Sequence, residues 1–130
     1  VAVNMCDMFV DEGVIVSTRG RNSVESYNAT KRGTLVQKGF PIVVLVDEHS
    51  ASASEVFAAC LQDYQLAVVI GERTWGKGTV QNITRLEGGR SELKLTVATY
   101  WRPSGKNIHR LNEDRDDESG ARAPLRVEGR

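Results

Sequence analysis

Three serines follow an apolar stretch, at a place in the chain where a serine could act as a nucleophile. They are Ser50, Ser52 and Ser54, and they come directly after residues 42–46, a short and mostly β-branched run that is typical of a buried strand. Residues 53–64 then carry apolar side chains at helical spacing. The serines therefore lie where a strand passes into a helix, and the unpaired N–H groups of a helix N-terminus stabilise developing negative charge.

Ser52 also fits a purely structural role. Glu55 stands three residues after Ser52, which is the spacing of a capping box, in which each side chain binds a backbone N–H of the first helical turn. Capping needs a single hydroxyl, and Ser50 could supply it as well. The two roles are compatible at one residue, because a nucleophile at this position would use the same N–H groups as an oxyanion hole.

A serine nucleophile needs a base, and the chain offers histidine or lysine. His49 and His109 are the two histidines, and no serine stands in a Gly-x-Ser-x-Gly turn, so a Ser-His-Asp hydrolase has weak support. Lys77 stands between Gly76 and Gly78, where the backbone can approach its neighbours closely. A lysine takes a proton from serine only if desolvation lowers its pKa from about 10.4 towards neutrality. A solvated loop lysine is the alternative interpretation.

The elements around these residues predict an α/β fold. Residues 66–70 repeat the apolar pattern of residues 42–46, so the order strand, helix, strand predicts two parallel strands joined by a right-handed crossover. If the chain is extended after Lys77, then Thr79 and Gln81 share the face of the lysine. The amide of Gln81 is then placed to orient the lysine ammonium.

Outside this unit the sequence predicts one helix, two strands and a hairpin. In chain order these are a helix at residues 1–10, a strand at 14–17, a short strand at 34–36 within a polar surface excursion, and hairpin strands at Thr79–Leu86 and Ser91–Trp101. Leu93, Leu95 and Val97 alternate with polar residues, which predicts that one face of the hairpin is buried. In the central helix, Glu55, Gln62 and Asp63 are expected to face water.

The length and composition of the chain limit the classes of protein to which it can belong. The chain has 130 residues with 17 acidic and 17 basic side chains, which suits one modest domain and argues against a dedicated nucleic-acid-binding protein. No apolar run approaches the ~20 residues of a membrane-spanning helix, and no signal peptide is visible. Because the chain opens on Val1, we expect it to be a segment of a longer protein. Cys6 and Cys60 lack metal-ligand spacing and are expected to be buried free thiols.

Residues 71–77 imitate a nucleotide-binding loop. They read Gly-x-x-x-x-Gly-Lys after a strand, which matches a Walker A loop except that Gly78 replaces the Ser or Thr that holds magnesium. The β-branched residues that follow Gly78 predict a strand, whereas a phosphate site needs a helix N-terminus there. Nucleotide binding is therefore the least favoured interpretation.

Several ordered blocks of the sequence resemble one protease family. Ser-Ala-Ser-Ala-Ser-Glu after an apolar strand, then Leu-Gln-Asp-Tyr, then Val-Val-Ile-Gly-Glu-Arg-Thr-Trp-Gly-Lys-Gly-Thr-Val-Gln, and finally residues 93–108 are similar to the C-terminal processing peptidases, also called tail-specific proteases. The resemblance implies a crotonase/ClpP-like α/β fold. It also implies that Ser52 is the nucleophile, Lys77 the general base and Gln81 the residue that orients the lysine.

The resemblance further implies what the intact protein does and where. It implies a serine endopeptidase that cleaves unfolded or C-terminally tagged polypeptides, without metal or organic cofactor, in an extracytoplasmic setting such as the periplasm or the membrane surface. Residues 1–110 would be the C-terminal part of the catalytic domain, and residues 111–130 a charged, disordered tail. The family's upstream PDZ domain and glycine-rich oxyanion loop are not visible in this sequence, which leaves the N–H of Ala53 as the candidate oxyanion donor.

Three alternative functions remain open. The first is a non-catalytic peptide-binding or scaffold module with the same crotonase-like fold. The second is a crotonase-type enzyme acting on acyl thioesters, which would not need serine, lysine and glutamine at these separations. Nucleotide binding at residues 71–77 is the third.

Overall fold

The computed structural model describes residues 1–30, 33–36 and 39–110, which form helices and two β-sheets. In chain order the elements are helix α1 (Ala2–Asp7), strands β1 (Val14–Gly20), β2 (Val24–Asn28) and β3 (Val43–Val46), helix α2 (Ala53–Asp63), and strands β4 (Val68–Gly71), β5 (Thr79–Leu86) and β6 (Ser91–Trp101). One sheet is antiparallel with the strand order β2-β1-β6-β5, and the other is the parallel pair β3-β4. The mixed α/β architecture that the apolar patterns predict is therefore present.

The parallel strand–helix–strand unit has the predicted order. Val43 of β3 pairs with Val68 of β4, and Val46 pairs with Gly71, with α2 as the crossover. Gly71 has a φ of 131°, and a Cβ at this position would overlap the carbonyl oxygen of Val46. The tight end of the sheet therefore requires glycine, because a side chain fits neither the backbone conformation nor the space.

The core lies between α1, α2 and the inner faces of the strands. Its buried apolar residues are Cys6, Val10, Ile15, Val16, Ala29, Val46, Val56, Ala58, Ala59, Cys60, Val69 and Ile108. Phe9 and Phe57 meet edge to face beside this core, with ring centroids 5.7 Å apart. Each fully buried aliphatic side chain contributes about 1.5–3 kcal/mol relative to exposure, so this cluster holds α2 in place.

The two cysteines are buried free thiols, as the sequence predicts. The thiols of Cys6 of α1 and Cys60 of α2 lie next to each other within the core. This contact and burial raise the pKa of the Cys60 thiol. Both thiols therefore act as small apolar groups that join the two helices.

The described residues leave one face of the parallel pair β3-β4 and both faces of the hairpin at residues 81–97 exposed, whereas the sequence predicts a parallel pair buried on both faces and a hairpin with one buried face. The apolar side chains that are exposed instead are Val43, Leu45, Val68 and Ile70 on the parallel sheet and Leu93, Leu95 and Val97 on the hairpin. Apolar periodicity identifies these strands correctly, but it does not reveal which faces the chain itself covers.

The region before β3 departs from the sequence prediction. β1 extends to Gly20 and pairs with β2, while the strand expected at residues 34–36 is absent. Every residue of β2 is exposed, so no apolar alternation marks this strand, and its pairing with β1 defines it. The first helix is also shorter than expected, because α1 ends at Asp7. The tail predicted at residues 111–130 lies outside the described residues.

A buried ion pair ties the chain reversal after β6 to the end of α2. Arg102 Nε donates to Asp63 Oδ2 at 2.9 Å, Arg102 Nη2 donates to Asp63 Oδ1 and to Gln62 Oε1, and the Ser104 N–H donates to Asp63 Oδ2 at 2.9 Å. The prediction that Asp63 faces water is therefore wrong. Burial raises the pKa of Asp63, but the hydrogen bonds from Arg102 and Ser104 and the charge of Arg102 outweigh it, so the pKa of Asp63 lies below its usual value.

Candidate active site

Ser52 occupies the N-cap of α2 in a strained backbone conformation. Its φ of 54° and ψ of −113° lie outside the regions that residues with a Cβ normally adopt. Such strain persists only where the surrounding structure enforces it, and it is common at functional sites. The hydroxyl of Ser52 is thereby carried on a sharp strand-to-helix turn, which is how α/β enzymes present a nucleophilic serine at the end of a sheet.

The neighbouring serines have other surroundings. Ser50 belongs to the turn after β3, where its hydroxyl donates to Asp47 Oδ1 at 3.0 Å and accepts the Asp47 N–H at 3.1 Å. Ser54 is exposed on the first turn of α2. Of the three serines, Ser52 alone combines the N-cap position with a strained backbone, so the structure singles it out as the candidate nucleophile.

The N–H of Ala53, the first residue of α2, is the candidate oxyanion donor. Within the part of the chain that the structure describes, this N–H forms no hydrogen bond, whereas the next one, from Ser54, donates to Ala51 O at 3.2 Å. An unpaired N–H at a helix N-terminus is oriented towards an anion that binds there. The site therefore offers one backbone donor directly after Ser52.

Glu55 lies beside Ser52 and Lys77, and the sequence interpretation misplaced it. It is expected to face water but is fully buried, and its carboxylate accepts four hydrogen bonds. The donors are the Ser52 N–H at 2.8 Å, the Thr74 hydroxyl at 2.7 Å, the Gly76 N–H at 2.7 Å and the Lys77 N–H at 2.9 Å. The capping-box spacing predicts the hydrogen bond from the Ser52 N–H, but no local sequence pattern predicts the other three hydrogen bonds.

Lys77 lies on the segment between β4 and β5, which passes directly over the N-terminus of α2. The Trp75 N–H donates to Ser50 O at 3.0 Å, and the Ser52 and Lys77 N–H groups share Glu55 Oε2 as their acceptor. The serine and the lysine are thus neighbours although 25 positions separate them in the sequence. The Lys77 side chain is exposed, so the described residues do not supply the desolvation that a lysine base needs.

The glycines on either side of Lys77 allow close packing against the segment that follows β6. The Arg110 N–H donates to Gly76 O at 3.0 Å, and the Tyr100 N–H donates to Gly78 O at 2.7 Å. A Cβ on Gly78 would lie 2.6 Å from the Cα of His109. The two glycines that flank Lys77 predict a close approach between backbone segments, and the structure shows that approach here.

Gln81 lies four residues after Lys77, on β5, and its side chain is exposed. The pairing of β5 with β6 shifts register here, because Val80 pairs with Ala98 and Gln81 pairs with Thr96, which leaves an extra residue on β6. Within residues 1–30, 33–36 and 39–110, no hydrogen bond connects the side chains of Ser52, Lys77 and Gln81. The proposed roles of these residues stay predictions.

The remaining candidates have weaker support from the geometry. His49 is exposed, with its Nε2 3.4 Å from Glu48 Oε1, and the backbone of His109 packs against Gly78. After residues 71–77 the chain enters strand β5, so the helix that a Walker A loop requires does not follow. Among the described residues, no His, Cys, Asp and Glu side chains cluster in a way that would hold a metal ion, and none of the helices is long and apolar enough to cross a membrane.

Two curated relatives of this chain are named as proteases or peptidases that process C-termini. The family model described as peptidase family S41 matches residues 1–116. The carboxy-terminal-processing protease of Bartonella bacilliformis is 47% identical over 109 residues, which is 82% of this chain and 24% of that protein. The chloroplastic C-terminal processing peptidase of Tetradesmus obliquus is 37% identical over 115 residues, covering 88% of this chain and 24% of that protein.

A solved structure is similar as well. The photosystem II D1 C-terminal processing protease matches with a TM-score of 0.75 and 38% sequence identity, over 83% of this chain and 28% of that one. The chain thus spans 24% of the length of each of the two curated relatives named above.

Proposed function

The chain belongs to peptidase family S41, and on that premise we propose that it carries the nucleophile, the base and the base-orienting residue of a serine endopeptidase. These residues are Ser52, Lys77 and Gln81. One observation carries the proposal: the N–H groups of Ser52 and Lys77 bind the same oxygen of a buried carboxylate, at the N-terminus of a helix. The main chains of the proposed nucleophile and base thereby lie next to each other, and the Ala53 N–H, which has no partner among the described residues, follows directly after Ser52.

In the proposed reaction, Ser52 Oγ attacks the carbonyl carbon of the scissile peptide bond. The neutral amine of Lys77 accepts the hydroxyl proton and then donates it to the leaving nitrogen as the C–N bond breaks. The Ala53 N–H stabilises the negative charge on the substrate oxygen. Water then hydrolyses the ester on Ser52 with the same lysine as base, which releases the new carboxylate and restores the serine.

Because Lys77 is exposed, the rest of the site must supply the desolvation that a lysine base needs. A lysine works as a base near neutral pH only when its ammonium form is destabilised by desolvation. The chain covers 24% of the Bartonella relative, so we propose that other parts of the protein, or the bound substrate, enclose Lys77. The Gln81 amide would then accept a hydrogen bond from the lysine and direct its lone pair at Ser52.

The proposed substrates are polypeptides that are unfolded or have accessible C-termini. The names of the relatives, which describe C-terminal processing, support this class. No step of the proposed mechanism requires a metal or an organic cofactor. An extracytoplasmic location, in the periplasm or at the membrane surface, is part of the same proposal.

The test is cleavage of an unfolded reporter protein by the full-length protein and its variants. We expect Ser52→Ala and Lys77→Ala to lower kcat by at least about 10³-fold and Gln81→Ala to lower it less, because members of a catalytic unit depend on one another. Ser54→Ala is the matched control, since it removes an exposed hydroxyl two residues away and should leave the rate unchanged. If Ser52→Ala cuts as fast as the wild type, Ser52 is only a helix cap and the chain is a binding or scaffold module.

A further inference from the structure

The buried carboxylate of Glu55 joins two segments that the proposed reaction needs in a fixed relation. One segment is the strained turn at Ser52, and the other is the run from Thr74 to Lys77, which lies 19 to 22 positions beyond Glu55. We propose that Glu55 is a positioning residue that holds the nucleophile and the base in register. This inference rests on the proposed function, because it assigns Glu55 a role in that reaction.

The hydrogen bonds divide evenly between the two oxygens of the carboxylate. Oε2 accepts the N–H groups of Ser52 and Lys77, and Oε1 accepts the hydroxyl of Thr74 and the N–H of Gly76. An ionised carboxylate is an acceptor only, with about four lone-pair sites, so four donors saturate it. Because the side chain is fully buried, water does not compete for these sites, and hydrogen bonds to a charged group are the strong ones.

Helix capping explains only one of these contacts. A capping box requires the glutamate to bind the N–H of the N-cap residue, which here is Ser52. The other three donors belong to a segment outside the helix, and a carboxylate that only capped α2 would not need them. Thr74 is also buried, and its hydroxyl donates a hydrogen bond to Glu55. The segment from Thr74 to Lys77 therefore packs directly against the carboxylate.

The geometry also relates Glu55 to the strain at Ser52. Ser52, which has a φ of 54°, donates its own N–H to Glu55 Oε2. The same oxygen accepts the N–H of Lys77, so a displacement of one backbone displaces the acceptor of the other. Glu55 therefore sets the distance between the two main chains from which the hydroxyl and the amine extend.

The test is Glu55→Gln in the full-length protein. The amide has the same shape but offers an NH₂ group where two donors now find an oxygen, so one pair of hydrogen bonds is lost. A misplacement of about 1 Å near reacting groups can slow a reaction about 10²-fold. We expect kcat on an unfolded reporter to fall by about 10²-fold with KM within about 3-fold, because the change affects alignment rather than substrate binding.

Two controls separate positioning from general damage. Glu48→Gln makes the same chemical change at an exposed glutamate on the turn before Ser52, and it should leave kcat unchanged. Hydrogen exchange followed by mass spectrometry should show faster exchange of the peptides that contain Ser52 and Lys77 in Glu55→Gln, but not in Glu48→Gln. A folded Glu55→Gln protein with wild-type kcat overturns the inference, as does a loss of kcat without faster exchange at either peptide.

A second variant and two further measurements test the inference if Glu55→Gln does not fold. If Glu55→Gln does not fold, Glu55→Asp keeps the charge on a shorter side chain that reaches fewer donors, and wild-type kcat in that variant overturns the inference. In the wild type, the amides of Ser52 and Lys77 should exchange with the same opening rate, and an unprotected Lys77 amide refutes the shared carboxylate. Ser52→Ala in the same cleavage assay tests the proposed function: if it stays active, that function fails, whatever Glu55 does.

Discussion

Replacing Gly78 by alanine would push apart two backbone segments that touch beside Lys77. A Cβ built on Gly78 overlaps the backbone nitrogen of His109, and it lies 2.6 Å from the Cα of His109 and 2.7 Å from the carbonyl carbon of Ile108. Carbon atoms make favourable contact at about 3.5–4.0 Å, so the segments must separate by about 1 Å. The atoms in conflict belong to the main chain, and no side-chain rotation relieves the overlap.

The expected cost follows from this displacement. Overpacking of this kind typically destabilises a protein by about 1–3 kcal/mol, and we expect the free energy of unfolding in urea to fall by that amount. The displaced segment between β4 and β5 carries Lys77, and a shift of about 1 Å near the proposed reacting groups should lower kcat for cleavage of an unfolded reporter by about 10²-fold. Both measurements use the full-length protein.

Gly89→Ala is the control for the backbone change alone. Gly89 has a φ of 96° at the tip of the hairpin, and a Cβ there would meet no atom within 4 Å. Alanine in this conformation should cost about 1–2 kcal/mol of stability but should leave kcat unchanged. Wild-type kcat in Gly78→Ala, or an equal loss of kcat in both variants, would refute the link between the packing of Gly78 and the position of Lys77.

Two further predictions concern the packing around α2. The pKa of Asp63 is lower in the folded than in the unfolded protein, so its contribution to stability is present above about pH 4 and is lost as the pH falls through the folded value. Asp63→Asn should therefore flatten the acid side of the pH dependence of the unfolding free energy, and an unchanged slope would contradict the role of the Arg102 pair. Cys6 and Cys60 should resist a thiol reagent at pH 8 in the native protein and react after denaturation, whereas rapid native labelling would show that the core opens locally.

Local patterns predicted those elements whose signal lies within their own residues. The hairpin Thr79–Leu86 and Ser91–Trp101 has the predicted bounds, because alternating side chains and the Glu-Gly-Gly-Arg turn mark both ends. The strand β2 was missed, because every side chain in it is exposed and its sequence carries no alternation. A strand defined mainly by pairing with a neighbour cannot be found from its own composition.

In the candidate site, too, some features follow from local sequence patterns and others do not. The position of Ser52 at the N-cap of α2 follows from the strand-to-helix transition and the spacing to Glu55. The burial of Glu55 does not follow from the sequence, because helical periodicity places this residue on the polar face. The donors outside the helix that bind its carboxylate lie 19 to 22 positions later. A tertiary contact of this kind has no periodic signature, although the glycines around Lys77 indicate that some backbone approaches closely there.

The shared carboxylate also determines when the site can exist during folding. Ser52 and Glu55 are close in sequence and meet as soon as α2 forms, whereas the contact with Lys77 closes a loop of about 20 residues, whose ordering entropy is recovered only when β4 has paired with β3. A chain in which only α2 had formed would have a capped helix and a serine with no lysine beside it. The proposed nucleophile and base therefore come together only in a chain that has closed this loop, so the activity proposed for Ser52 depends on the pairing of β3 with β4.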